Sequence, residues 1–146
     1  MDTEKQHLAV RFEKLRTHAL QLQLVGYVLG FGTGILKKFL LQPYDYFLTP
    51  VSLLGWLIWM VGSWQLLKYW QRLKGQASLW PILNDELIAS YRLKAAAVGF
   101  AMVMLTQGII LVLSNFWALP ALFGAYLSMF VGMVAILSAF LMYDRI

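Results

Sequence analysis

The chain predicts an all-α fold: an integral membrane four-helix bundle with an amphipathic N-terminal helix and both termini cytoplasmic. Three observations lead to it. From Ala95 to Tyr143 there is no Asp, Glu, Lys, Arg or His, although Arg92 and Lys94 stand just before this run and Asp144 and Arg145 just after it. A spanning helix needs roughly 20 apolar residues, so the run holds two helices, with a turn marked by Ser114, Asn115 and Pro120. The composition agrees, at 60% hydrophobic and 13% charged, where soluble domains carry about 25% charged residues. The third observation is where the bases lie. Lys5, Arg11, Lys14 and Arg16 occupy the N-terminal segment, Lys68, Arg72, Lys74, Arg92 and Lys94 surround the central loop, and Arg145 ends the chain; only Lys37 and Lys38 fall on the other side. By the positive-inside rule the termini and the central loop are cytoplasmic.

Each element follows in order. Leu8, Phe12, Leu15, Ala19 and Leu22 recur at spacings of four and three, which predicts an amphipathic cytoplasmic helix over 3–18 whose polar face carries Lys5, Arg11, Lys14 and Arg16. It leads into a first span at 19–36, with Gln21 and Gln23 at its start. The second span covers 50–69, with Thr49 as N-cap and Pro50 at the first helical position, where its missing N–H costs nothing. A cytoplasmic loop, 70–94, ends in a helix capped by Asn84. There Asp85 and Glu86 favour the positive end of the helix dipole. Continued through the third span, 95–113, this helix is longer than the hydrocarbon core is thick, so its first turns stand outside lipid. The fourth span is 120–143. Tyr69, Trp70 and Trp80 mark one interface, and Tyr44, Tyr46, Phe116 and Trp117 the other.

Inside the membrane the sharpest pattern is one of small residues. Gly26, Gly30 and Gly34 repeat every four positions. Ala121, Ala125, Ser128, Gly132, Ala135 and Ala139 keep a heptad rhythm. Lipid tails are as apolar as leucine, so helices in a bilayer gain from close backbone approach, and small side chains permit it. These strips are expected to pack within the chain or to form a homo-oligomer. Gln107 is expected to face the interior and bond another helix, while Thr106 and Ser138 satisfy their hydroxyls on their own helices.

Several functions are excluded or disfavoured. The absence of cysteine removes thiol catalysis, disulfides and Cys-based metal sites. His7 and His18 lie three helical turns apart, about 16 Å along the axis, and cannot share a metal, so no metal or cofactor is expected. Adjacent acids on a helix point about 100° apart, so capping explains Asp85 and Glu86 better than acid–base chemistry. Ion-coupled transport calls for an ionisable group within a span, and the last three spans have none apart from Lys68 at the cytoplasmic edge of the second; the embedded glutamate of proton-driven four-helix multidrug exporters is missing. The formal charge is +5, yet the bases flank apolar segments and form no stripe, which argues against direct nucleic-acid binding.

The segment from Leu83 to Phe100, LNDELIASYRLKAAAVGF, resembles a signature of small uncharacterised bacterial membrane proteins, in which an Asp-Glu pair precedes a basic residue and an alanine-rich helix start. The matching positions are Asp85, Glu86, Lys94, Ala95, Ala96 and Ala97; Leu87 stands where those families often have Arg. The resemblance implies a bacterial inner-membrane protein, in some cases paired with a small DNA-binding regulator held at the membrane. The expected function is non-enzymatic: a regulator, accessory subunit or scaffold that acts through protein contacts at Asp85, Glu86, Arg92, Lys94 and the N-terminal helix. The alternative is a small oligomeric transporter or channel subunit with Gln107, Thr106 and Ser128 lining a pore. An enzyme acting on a lipid-like substrate comes third.

Overall fold

A computed structural model of the chain describes residues 3–39, 45–74 and 86–143, all helical apart from the turn at 115–120. Helix α1 (Thr3–Tyr27) passes through a π-helical turn, Val28–Gly32, and continues as α2 (Thr33–Phe39). Helices α3 (Asp45–Lys74), α4 (Glu86–Ser114) and α5 (Ala121–Tyr143) follow. With α1 and α2 forming one rod, there are four rods, each long and apolar enough to cross a membrane. The fold is an all-α four-helix bundle whose rods suit a membrane by length and composition. Its α1 rod lies between α3 and α5, and α5 lies between α1 and α4.

The helix of 3–18 and the first span merge into one rod, and Gln23 helps to hold it. Gln23 Nε2 donates to Ser63 Oγ on α3 at 3.1 Å, and Ser63 Oγ donates in turn to its own helix at Trp59 O, 2.9 Å away. Glycines bring the two backbones together. A Cβ added at Gly55 would fall 2.7 Å from Gly30 Cα, and one at Gly26 would fall 2.7 Å from Trp59 Cα. Gly62 also approaches α1, less closely, with Gln23 N 2.9 Å and Ala19 O 3.0 Å from its added Cβ. Gly34, expected to continue the strip, faces open space. The π turn, Val28–Gly32, contains Gly30 and lies between Gly26 and Gly34, and its wider winding turns Gly34 off the contact line. Two hydroxyls hold that turn open: Thr33 Oγ1 donates to Leu29 O, and Ser52 Oγ on α3 donates to Gly30 O at 3.0 Å. Such wide turns arise where side chains enter the backbone ladder.

The second pair crosses at Gly99 and Gly132. An added Cβ at Gly99 would lie 3.2 Å from Gly132 O, and Ile110 fills the space over Gly124. The buried strip of α5 is therefore Gly124, Ser128 and Gly132, then Ala139 and Leu141. Ala121 and Ala125 are exposed and Ala135 is half-buried, so the heptad rhythm holds only over the second half of the strip. The observed spacing of four follows the i±4 ridge of an unsupercoiled helix. Ser128 Oγ and Thr106 Oγ1 donate to their own helices, at Gly124 O and Met102 O, 2.8 and 2.7 Å away. The two pairs meet through aromatic rings. Tyr27 and Phe31 stack on Phe130 with centroids 5.9 and 6.3 Å apart.

Helix α3 begins at Asp45, earlier than expected, and contains Pro50. Thr49 is not an N-cap there; it accepts a hydrogen bond from Lys37 Nζ at 2.9 Å. Proline removes one backbone bond, and so near the helix start the loss is small. Asn84 and Asp85 lie outside the described residues, as does the side chain of Glu86, which opens α4.

Candidate functional site

One end of the bundle gathers the bases. The start of α1, the end of α3, the start of α4 and the end of α5 meet there, as the contacts of Phe12 with Tyr69 and of Tyr91 with Tyr143 require. Phe12, Tyr69 and Leu73 form a small core of their own, with Leu8, Ala9 and Trp70 packed against it. The ring centroids of Phe12 and Tyr69 are 5.9 Å apart in an edge arrangement, a geometry that adds to the apolar burial. Tyr69, expected as an interfacial marker, is instead a core residue, only 4% exposed. Docked in this way, the first turns of α1 are tied to α3. Arg11 and Lys14 on α1, Lys68, Arg72 and Lys74 on α3, and Lys94 on α4 are all exposed around this core.

Arg16 departs from its expected place on the polar face. It is 3% exposed. The reason lies in the helical spacing: positions 12, 16, 19, 20 and 23 share the face that meets α3 and α5. The Arg16 guanidinium lies over the Phe140 ring, 5.8 Å from its centroid, and Nη2 reaches Glu13 Oε1 at 3.9 Å. Opposite it, Arg92 lies over Trp70 at 6.0 Å. Both arginines line a cavity of about 340 Å³ to which all four rods contribute; its other walls are aromatic or aliphatic. Lys94, expected alongside Arg92, points elsewhere, towards the Tyr91 ring.

The opposite end carries a smaller cleft of about 210 Å³, beside the π turn. Lys38 stands at this cleft and lies 4.9 Å over the Tyr126 ring. Gln107 belongs to neither site. It is exposed on the outer side of α4 beside Gly108, which has open space around it, so the expected inward bond to another helix is absent among the described residues. Helix α4 packs against α5 through Gly99, Val103 and Thr106, and position 107 is turned about 100° from Thr106. Among the described residues no group of His, Asp and Glu could hold a metal ion; His7 and His18 are exposed.

No family model, curated protein or solved structure matches the chain. The residues that sequence reasoning missed are Arg16 as a pocket residue and Gly55, Gly62, Gly99 and Gly124 as contact points. For the glycines a signal was available, since Gly55 and Gly62 are seven positions apart and so share a helix face.

Proposed function

We propose that the protein is a non-enzymatic, multi-pass inner-membrane protein that acts through protein contacts, as a regulator, accessory subunit or scaffold, with its basic end in the cytoplasm. The observation that carries this reading is the small core of Phe12, Tyr69 and Leu73. It clamps the start of α1 to α3, so that Arg11, Lys14, Arg72 and Lys74 stand exposed on ordered helices. A charged surface that is already ordered loses little entropy on binding and steers an acidic partner. Arg92 and Lys94, near the start of α4, lie at the same end of the bundle, and Asp85 and Glu86 precede them in the sequence. The resemblance of Leu83 to Phe100 to small bacterial membrane proteins points to a small DNA-binding regulator as the partner class, held by protein contact and without direct contact between this chain and nucleic acid.

The test is photocrosslinking in native membranes from a probe amino acid at position 14 or 72. A discrete adduct is expected from both, lost when Arg11 and Lys74 are changed to Glu, and none from a probe at exposed Leu105. Adducts that survive the charge reversal, or that match those from position 105, would remove the assignment.

A second reading, a small oligomeric transporter or channel subunit, is favoured by Gln107. An amide facing lipid gains about 0.6–2 kcal/mol from a partner, and a second copy can supply one. Thr106 and Ser128 are buried and bonded to their own helices, so any pore between copies would draw on Gln107 and not on them. Solute flux from the purified protein in liposomes, abolished by Gln107→Leu, would decide for this reading.

A further inference from the structure

We propose that two copies of the chain associate through the outward face of α4, with Gln107 of each copy set against Gln107 of the other. The proposal rests on the membrane reading of the four rods and needs no pore. Helix α4 packs extensively on α5 alone, so most of its circumference is open to lipid. On the open side Leu93, Ala97, Phe100, Met104, Gln107 and Leu111 succeed one another at steps of four and three, the spacing of a coiled-coil seam, and all six are exposed. Leu93, Phe100 and Leu111 reach 74%, 63% and 71% exposure, which sets the seam apart from Gly99, Val103 and Thr106 on the face that meets α5. An apolar seam alone calls for no partner, because lipid covers it as well as another helix would. Gln107 breaks that equivalence. It sits about 18 Å along α4 from Ala95 and about 10 Å from Ser114, too deep for its amide to reach either end of the span, and the amide has no hydrogen-bond partner among the described residues.

The chemistry of the amide names the occupant. It carries a carbonyl acceptor and an NH2 donor, so a second amide of the same kind meets both needs in a reciprocal pair. Copies inserted with one topology hold each residue at one depth, and a two-fold axis along the membrane normal brings a residue near that axis against its own equivalent. A different protein would have to carry a matching polar group at that same depth. Charge does not oppose the pairing, since no ionisable acid or base stands between Ala95 and Tyr143. Gly108, beside the seam, has open space around it and lets the two backbones approach. A single polar residue in an apolar seam fixes register and copy number, which is the role this amide takes.

The experiment uses the full chain, which has no cysteine of its own, in membranes washed with alkaline carbonate. Leu111→Cys and Phe100→Cys, oxidised with copper phenanthroline, are expected to give a disulfide-linked dimer. Leu105→Cys, 58% exposed but turned about 120° from Leu111, gives none. In mixed micelles, energy transfer between separately labelled copies reads the dimer dissociation constant, which Gln107→Leu is expected to raise about tenfold by removing two amide bonds. The exposed position lets this variant keep its fold, which circular dichroism checks, and the cysteine crosslinks do not depend on it. Equal crosslinking at 105 and 111 would mean random collision, and an unchanged dissociation constant in Gln107→Leu would place the amide outside the contact; either overturns the proposal, as does an adduct with another protein in place of the self-adduct. A chain lost in the carbonate wash would sink the membrane reading with it, whereas a retained chain without the adduct sinks the interface alone. A dimer without solute flux keeps the interface and removes the channel reading.

Discussion

Substituting Gly55 by Ala tests the crossing on which the first helix pair depends. The new Cβ would lie 2.7 Å from both Gly30 Cα and Leu29 C. Ordinary van der Waals contact begins at 3.4 Å, so the helices must separate by at least about 0.7 Å. Because the obstructing atoms are backbone, no rotamer change relieves the clash. Overpacking of this kind costs roughly 1–3 kcal/mol. Separation also stretches two bonds between the rods, Ser52 Oγ to Gly30 O at 3.0 Å and Gln23 Nε2 to Ser63 Oγ at 3.1 Å, each worth about 0.6 kcal/mol on average in a membrane. Gly55→Ala is therefore expected to destabilise by about 2–4 kcal/mol in total. The control is Gly34→Ala, where the added atom meets nothing within 4 Å and the higher helix propensity of Ala is worth up to about 1 kcal/mol in the opposite direction. Unfolding in mixed micelles, followed by tryptophan fluorescence, reads both, since Trp56 and Trp59 adjoin the crossing. The reasoning fails if Gly55→Ala stays within about 0.5 kcal/mol of the parent, the range of an ordinary surface change, or if the two variants are equally damaging.

Three further outcomes are expected. Phe12→Ala, which removes the centre of the basic-end core, lowers the local opening free energy by about 3 kcal/mol; hydrogen exchange over 3–18 then accelerates more than tenfold while α4 and α5 stay protected, and unchanged exchange would contradict the docked helix. Gln107→Leu leaves the unfolding free energy of the monomer within about 0.5 kcal/mol, because the side chain is exposed; a loss above about 1 kcal/mol in monomeric micelles would indicate an intrachain bond. Gln23→Leu, in contrast, costs about 1 kcal/mol by breaking the bond to Ser63, and a double-mutant cycle with Ser63→Ala that shows no coupling would rule that bond out.

Helix class and the apolar spans were legible because lipid imposes a simple demand, a long apolar helix, and the charge-free run from Ala95 to Tyr143 states it openly. The faces were harder to read. Small residues on α5 fit two rhythms, and the choice between Ala125 and Gly124 depends on where α4 lies, which no single helix records. Polarity alone points Gln107 inward, whereas its direction is set by Gly99 and Val103 on α4, which turn a neighbouring face toward α5. Arg16 reads as a surface base when charges are counted; only its spacing with Phe12, Ala19 and Gln23 places it on the packed face. The π turn arises from Ser52 and Thr33 competing for the carbonyls of Leu29 and Gly30, and one of these hydroxyls comes from another helix. Pro50 reads as a helix start, yet α3 reaches back to Asp45 because one lost bond near an end is tolerated.

The central claim is that four helices cross the membrane with the basic end in the cytoplasm. The chain has no cysteine, so single cysteines can be introduced at exposed positions without background: Lys14 and Lys74 at the basic end, Lys38 and Asn115 at the other. A membrane-impermeant maleimide applied to intact spheroplasts is expected to label Lys38→Cys and Asn115→Cys at once, and Lys14→Cys and Lys74→Cys only after permeabilisation. Labelling of Lys14→Cys and Lys74→Cys in intact spheroplasts, or of one of them without the other, would contradict it.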